Sequence, residues 1–597
     1  GSTVIIDGIS FVQKYNTADE AGIYDVSYVD GNEYISYGVG KDDEGNYHIY
    51  NAAGMRWVAE TVNNTTPYTP TIFDDKVVYL KNDIDLNNEE WIPIGDDRSQ
   101  RTEFHGTFDG QGYTISNVKI TKKTDRDDEN KSSYGLFGNL KGTIKNLTVE
   151  NVSISGAPKF IGALVGRMNG GLIENCHVKG ANVTCENWTI GGVVGQWNDG
   201  KISGCSIENS TIEGYAAVGA LVGIALNDGE RIVENCTVTN CTIKQNGNFG
   251  GDFDKMFGGI LGAAYSGSLV VNINNCKSDY TPICGYAAEG DVVKVNGIQL
   301  IYSAEDFANA IEAGGEYALA NDIALTERIY QNIDFTLDGC GFTIAQEEGS
   351  TNTFALFDSV TGKITLKNIV FKGIKGGAVI RTVGAETNID NITVEDAEVT
   401  QTQGLIRLLG KSTITNSTFR GNTCNMVISL NYDGGNDDPQ VVENCVFEGN
   451  TCNETAVVYY VKGSSCTINN NKFIGNTVNC NNNGATVYMG FQENCVVTNN
   501  LFKNNTVNES KTSSRVAGGI FFGYDTVFTG NAFMNNNVTG ENVVAKDVCV
   551  STYYTSIDLS GNYWGGGAPV EDFNYFVQHK SDERTVIVND YLTTYEE

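Results

Sequence analysis

The sequence predicts an all-β fold of two consecutive parallel β-helices, each with a short N-terminal capping helix. Three observations predict it. A motif of the form apolar-x-Asn-x-x-apolar recurs fourteen times, mostly at intervals of 23 to 31 residues. Between copies, Val, Ile, Thr, Tyr and Phe alternate with polar residues at period two, which is the pattern of strands. The 597-residue chain also carries 69 Gly and only 7 Pro, with Asn-Gly, Asp-Gly and Gly-Gly steps throughout, so turns are frequent. A repeat of strands and turns without an intervening helix argues for a solenoid, each copy being one coil of about three short strands.

Residues 1–48 lie outside the pattern, and "YISYGVGKDDEGNYHIY" reads as a β-hairpin extension turning at Glu44, Gly45 and Asn46. The first β-helix is expected over 49–295. It opens with "YNAAGMRWVAETVNN", a short amphipathic helix, followed by "VVYLKNDIDL" and "GTFDGQGYTISN". Its repeats fall at Asn117, Asn146, Asn175, Gly204, Asn235 and Asn275. The second is expected over 296–597 and opens the same way, with "IYSAEDFANAIEAGG", "YALANDIAL" and "FTLDGCGFTIAQ". Ala304, Phe307, Ala308 and Ile311 share a face of its helix, which can plug the open end of a coil stack. Its repeats fall at Asn368, Asn391, Asn416, Asn444, Asn470, Asn499, Gly530 and Gly561, and Trp564 is placed to cover the last coil.

The slot held by Asn or Gly predicts one left-handed corner per coil, since these residues tolerate positive φ best. With coils about 4.8 Å apart, the corner amides can bond the backbone of the next coil as a ladder. The following residue should face inward. Cys176, Cys205, Cys236, Cys276, Cys445 and Cys495 are assigned to it as a column of buried thiols, and Cys424 and Cys452 repeat the device one turn later. Parallel in-register Cys suit a disulfide poorly, and the odd total of 15 cannot all pair.

Net charge is −33, which disfavours nucleic acid and anionic lipid as partners. No run of 18 apolar residues could span a membrane. His48, His105, His177 and His579 are scattered, with His177 expected to face solvent, and no metalloprotease, serine-hydrolase or phosphate-loop signature occurs. Two outward carboxylate pairs, Glu174 with Glu234 and Glu150 with Glu208, sit two coils apart, about 9–10 Å, within the range of an inverting glycosidase. The loops holding Asp433, Asp437 and Asp438, and Asp252 with Asp254, can attract calcium, though neither has EF-hand spacing. No other cofactor is expected.

The segments "YGLFG", "GALVG", "GGVVG", "GALVG" and "GGILG", behind "WIPIG" and "GTFDGQGYTISN", resemble the GLUG repeats of bacterial surface proteins over residues 50–285. In the second half, "FRGN", "FEGN", "FIGN", "FKNN" and "FMNN", with "GGA" and "GGI", resemble the Phe-x-x-Asn and Gly-Gly-Ala repeats of polymorphic outer-membrane adhesins. The likeness to pectin-lyase-like proteins implies right-handed coiling, a bacterial extracellular or cell-surface setting, and adhesion or glycan contact. Candidate ligand-binding residues are the aromatics Tyr459, Tyr460, Tyr488, Phe491, Phe522 and Tyr524, which recur at matched offsets in consecutive coils. The function this reading favours is a non-catalytic adhesin for glycans or a protein ligand on host or dietary surfaces. A polysaccharide-degrading β-helix enzyme and a structural stalk are the alternatives.

Overall fold

A computed structural model describes residues 3–6, 9–13, 26–28, 38–63, 73–96, 102–121, 133–157, 159–185, 188–246, 251–326, 329–331, 334–350, 357–359, 362–384, 386–399, 404–431, 438–460, 463–480, 484–490, 494–510, 520–524, 526–540, 543, 545–551, 556–578 and 585–596. The chain divides into two compact units, Gly1–Leu300 and Ile301–Glu597. Each is a parallel β-solenoid, wound right-handed as parallel crossovers are.

In the first unit, Thr3–Ile6, Ile9–Gln13 and Val26–Tyr28 form a small antiparallel sheet. Val39–Lys41 and Tyr47–Ile49 form the hairpin, and Tyr47–Ile49 then pairs in parallel with Val77–Leu80. Helix α1, Ala52–Asn63, is capped by Asn51, whose Oδ1 accepts from the Gly54 N–H at 3.0 Å. It buries Met55, Val58, Ala59 and Val62.

Circuits contain more strands than the repeat suggests. One circuit of the first unit has five: Phe137–Leu140, Thr143–Lys145, Thr148–Glu150, Ser153–Ala157 and Phe160–Gly162. In the second unit a circuit has four, such as Gln440–Glu443, Val446–Glu448, Thr451–Cys452 and Ala456–Tyr460. The extra strands follow from a second corner. All fourteen predicted positions have positive φ, from 50° at Asn175 to 73° at Gly561. Five residues further on, Asn151, Gly180, Asn209, Asn240, Gly373, Asp396, Gly421, Gly449, Gly475, Asn504 and Asn535 also have positive φ. Two left-handed corners thus bracket a short strand in most coils, while Asn117 aligns with the second corner, level with Asn151.

The corner amides do not form the expected ladder to backbone. Their side chains bond one another, as from Asn275 Nδ2 to Asn235 Oδ1 at 2.8 Å and from Asn470 Nδ2 to Asn444 Oδ1 at 2.7 Å. Their backbone N–H groups reach the next coil, as from Asn146 N to Glu174 O at 3.0 Å. Ladders that do engage backbone run inside the second unit. The Asn of each Phe-x-x-Asn segment is buried: Asn422, Asn450, Asn476, Asn505 and Asn536. Asn476 Nδ2 donates to Asn505 Oδ1 at 3.0 Å and to Phe447 O at 2.9 Å, while its Oδ1 accepts from both nitrogens of Asn450. Asn471, Asn500, Asn531 and Asn562 repeat this arrangement in the slot after the first corner. Each amide therefore has its donors and acceptor satisfied without water.

That slot holds Cys176, Cys205, Cys236 and Cys276 in the first unit and Cys445 in the second. Cys495 does not belong to it; it starts the strand Cys495–Thr498 beside Cys466, and Asn500 takes the slot in its coil. Among the described residues fourteen cysteines are free thiols. Burial pushes Cys445 up to about 12, so it behaves as a small apolar group. The Phe residues preceding the inner amides stack face to face: Phe419, Phe447, Phe473, Phe502 and Phe533 lie 4.7–5.0 Å apart.

Helix α2, Ala304–Ala313, opens the second unit. Ser303 Oγ accepts from Asp306 N at 3.1 Å and Asp306 Oδ2 accepts from Tyr302 N at 3.2 Å, a reciprocal cap. Phe307, Ala310 and Ile311 are buried; Ala308 is exposed, its expected place being taken by Ala310. Trp564 stacks on Phe533 at 5.2 Å but is not the last layer. Tyr575–Gln578, Val586–Ile587 and Tyr591–Leu592 add a further partial coil.

Replacing Asn476 by Ala orphans the buried donors of Asn450 and the Phe447 carbonyl, so we expect a loss of about 3 kcal/mol or more. Asn479→Ala, on the outer ladder, should cost under about 1 kcal/mol, since its hydrogen bonds are open to water exchange. Urea unfolding of both variants checks the contrast.

Candidate binding surface

The described candidate aromatics lie on one ten-stranded sheet of the second unit, which includes Ile380–Val383, Ile406–Leu409, Ile428–Leu430, Ala456–Tyr460, Ala485–Met489, Phe521–Tyr524 and Val548–Ser551. Strand alternation divides its residues between core and exterior. Ile380, Ile406, Ile428, Val458, Val487, Phe521 and Val548 form the inward column. Tyr460, beside Leu430 and Met489, also points inward and is fully buried, so its ring belongs to the core and cannot act as a ligand platform.

The alternate, outer column carries Arg381, Arg407, Tyr459 and Tyr488, all half-buried, with fully buried Ser429 between Arg407 and Tyr459 and buried Cys549 further on. Tyr459 and Tyr488 are half-buried, and their rings stack at 4.9 Å with 28° between planes. Tyr488 rests on buried Ala485 and Cys549, which fixes the ring from beneath. Phe522 follows Tyr488 in register and Tyr524 pairs with Ser551, but both side chains lie outside the described residues, as does Phe491 entirely. Sequence reasoning passed over Arg381 and Arg407. They lie on strands without aromatics, and only the register places them in the tyrosine column.

The carboxylate pairs have other partners. Glu174 and Glu234 flank Ser203 in register, two coils apart as the spacing predicts. Glu234 meets Lys201 Nζ at 2.7 Å and Ser203 Oγ at 3.1 Å, and the lysine holds its carboxyl below the usual range. Glu208 meets Lys179 Nζ at 3.2 Å in the strand between it and Glu150. An inverting hydrolase needs one carboxyl that keeps its proton; Glu234 is placed to stay ionised.

His48 pairs with Asp42 and His105 with Glu103, both at 3.4 Å. His177 is half-buried, with its Nδ1 2.8 Å from Ser206 Oγ. His579 lies outside the described residues, as do Asp433 and Asp437. Asp252 and Asp254 lie on the short helical turn Gly251–Lys255; Asp252 accepts from the Tyr286 hydroxyl at 2.9 Å and Asp254 from Gln245. Among the described residues no three His, Cys, Asp or Glu side chains converge as a cation site.

Asp547 has its carboxyl pushed up to about 6, chiefly by burial. It is 4% exposed, and its Oδ2 accepts from Asn574 Nδ2 at 2.9 Å. A bound water or sugar could not reach it without opening the coil, so its role is structural.

No family model matches the sequence. A segment of 84 residues, 13% of this chain, is 36% identical to halomucin of Haloquadratum walsbyi. The chain spans about 1% of that relative's length. A crystal structure from Bacteroides ovatus, of a protein proposed to be an immunoglobulin A1 protease, matches 46% of this chain and 88% of its own at 19% identity, with a TM-score of 0.28. Among the described residues no helix is long and apolar enough to cross a membrane.

Because the folded carboxyl of Asp547 titrates above its ordinary 3.8, its contribution is favourable below that pH and is lost as pH rises through about 6. Asp547→Asn keeps an acceptor for Asn574 without the buried charge. We expect it to raise Tm by a few degrees at pH 7.5, with the gain shrinking toward zero at pH 4; thermal melts at the two pH values check the sign.

Proposed function

We propose that this chain is a non-catalytic, extracellular or cell-surface binding protein that engages glycan through the outer face of its second solenoid. The observation that carries the reading is the stacked, half-buried Tyr459–Tyr488 pair, standing outward on a flat parallel sheet. A pyranose ring presents C–H groups on one face and hydroxyls around its rim. Tyrosine complements both, with an apolar face and a phenolic hydroxyl. The rings are held by the strand ladder below them, so little ordering entropy is lost on binding. Arg381 and Arg407, in the same outer column, add donors for hydroxyl or carboxylate groups further along the axis.

The non-catalytic part rests on the ion pair of Glu234 with Lys201, which keeps that carboxylate from acting as a proton donor. The extracellular setting suits the net charge of −33 and the coil resemblance to surface proteins.

A glycan array run beside a reducing-sugar release assay tests both parts. Signal on the array without released sugar is expected, and Tyr459→Ala/Tyr488→Ala should weaken that signal tenfold or more. Sugar release by the unmodified protein, or array binding indifferent to the double substitution, would overturn the reading.

A further inference from the structure

We infer that Asn209, Asn235 and Asn504, three of the left-handed corners, are acceptor sites for N-linked glycan. The modification presupposes the extracellular setting proposed above and involves none of the residues of the tyrosine face.

The acceptor motif is Asn-x-Ser/Thr, with any residue but Pro between. It occurs sixteen times in the sequence, and none of the buried asparagines belongs to it. On the inner ladders strand alternation is the reason. Two residues beyond an inner amide the chain faces the core, as at Cys452 after Asn450 and Val478 after Asn476, so an apolar side chain stands there. Two residues beyond a corner it faces out. Thr211, Thr237 and Thr506 hold that place and complete the motif for Asn209, Asn235 and Asn504.

The coil stack then sorts the corners. Where corner side chains meet, the later one donates its Nδ2 to an oxygen of the earlier coil. Asn146 Nδ2 donates to Asp109 Oδ1 at 3.1 Å, and Asn240 Nδ2 to Asn209 Oδ1 at 2.7 Å. Asn391 Nδ2 donates to Asn368 Oδ1 and Asn416 Nδ2 to Asp390 Oδ1, both at 2.7 Å. These four corners also carry the motif. Their Nδ2, the atom a glycan would occupy, is held between coils about 4.8 Å apart, and a sugar ring on it must crowd the side chain it bonds. Asn151, a further corner with the motif, has Asn117 beneath it.

Beneath Asn209, Asn235 and Asn504 the corner of the earlier coil is glycine. Gly180 N donates to Glu208 O, Gly204 N to Glu234 O and Gly475 N to Lys503 O, which sets each glycine directly under its asparagine. A glycine offers Nδ2 no side-chain acceptor and leaves its volume empty. A Cβ on Gly475 would meet nothing within 4 Å, and one on Gly180 or Gly204 would meet only the asparagine one coil further back, Asn151 or Asn175. All three acceptor asparagines are exposed.

The donor class is an oligosaccharide carried on a polyprenyl diphosphate, used by a membrane transferase outside the cytoplasm. The amide Nδ2 attacks C1 of the first sugar, and the C1–O bond to the diphosphate breaks. One Nδ2 proton passes to a base of the transferase, and the polyprenyl diphosphate leaves with the bonding pair. In the closed coil the strand after each corner is hydrogen-bonded on both sides. Transfer therefore precedes coil closure, and a folded chain keeps a glycan at a corner only where the stack leaves room.

Intact-glycopeptide mass spectrometry of the full chain, isolated folded from the cells that make it, tests the assignment. Occupancy at Asn209, Asn235 and Asn504 should exceed that at Asn146, Asn240, Asn391 and Asn416 tenfold or more. Thr211→Ala, Thr237→Ala and Thr506→Ala keep the corner asparagine and should each remove the glycan from their own site, whereas Thr211→Ser, Thr237→Ser and Thr506→Ser should retain it. Absence of glycan from all three sites, equal occupancy at the bonded corners, or glycan that survives the alanine substitutions overturns the assignment. The chain made without a transferase is run on the glycan array in parallel. Array signal with no glycan on the isolated chain counts against the acceptor sites alone; glycan on the three corners without array signal counts against the tyrosine face alone.

Discussion

In a registered parallel solenoid every side chain lies next to its own equivalent, one coil above and one below, about 4.8 Å away. The interior can hold only groups that are good partners for themselves. Aliphatic side chains qualify, and so does Phe, whose rings stack from Phe419 to Phe533. Among polar groups the carboxamide qualifies, because it carries donor and acceptor on one planar head. A buried carboxylate does not. Asp547 shows the consequence: sited among amides near the end of the ladders, its carboxyl is driven toward its neutral form.

The two units meet this constraint with different residues in the same slot. The first places thiols there, which need no strong hydrogen bond and fit beside a tight corner. The second places asparagines, which bind coil to coil through side chain and backbone together. Both open on an Asp-Gly-x-Gly turn in which the aspartate substitutes for the missing earlier corner. Burial would raise the carboxyls of Asp109 and Asp338, but hydrogen bonds and a neighbouring lysine (Lys145 and Lys367) outweigh it and hold both below the usual range.

Outside, the same stacking rule acts on charge. Opposite charges often meet in register between coils, as in Lys372, Glu395 and Arg420, with Lys372 Nζ and Arg420 Nε both within 3 Å of Glu395, whereas Arg381 and Arg407 stand side by side. Aromatic rings stack on their own equivalents without charge, as Tyr459 does on Tyr488. The glycan contact proposed above rests on this pair on the second unit.

By itself the sequence determined the solenoid, because a left-handed corner is a local demand that only Asn, Gly or Asp meets cheaply, and it recurs at a readable interval. The capping helices were legible for the same reason. The second corner stood in the sequence too, in most coils five residues after the first, but only one corner per coil was expected. Register was beyond local reading. It decided that Cys495 leaves the thiol column, that Tyr460 faces the core while Tyr459 faces out, and that Arg381 and Arg407 share the tyrosine column.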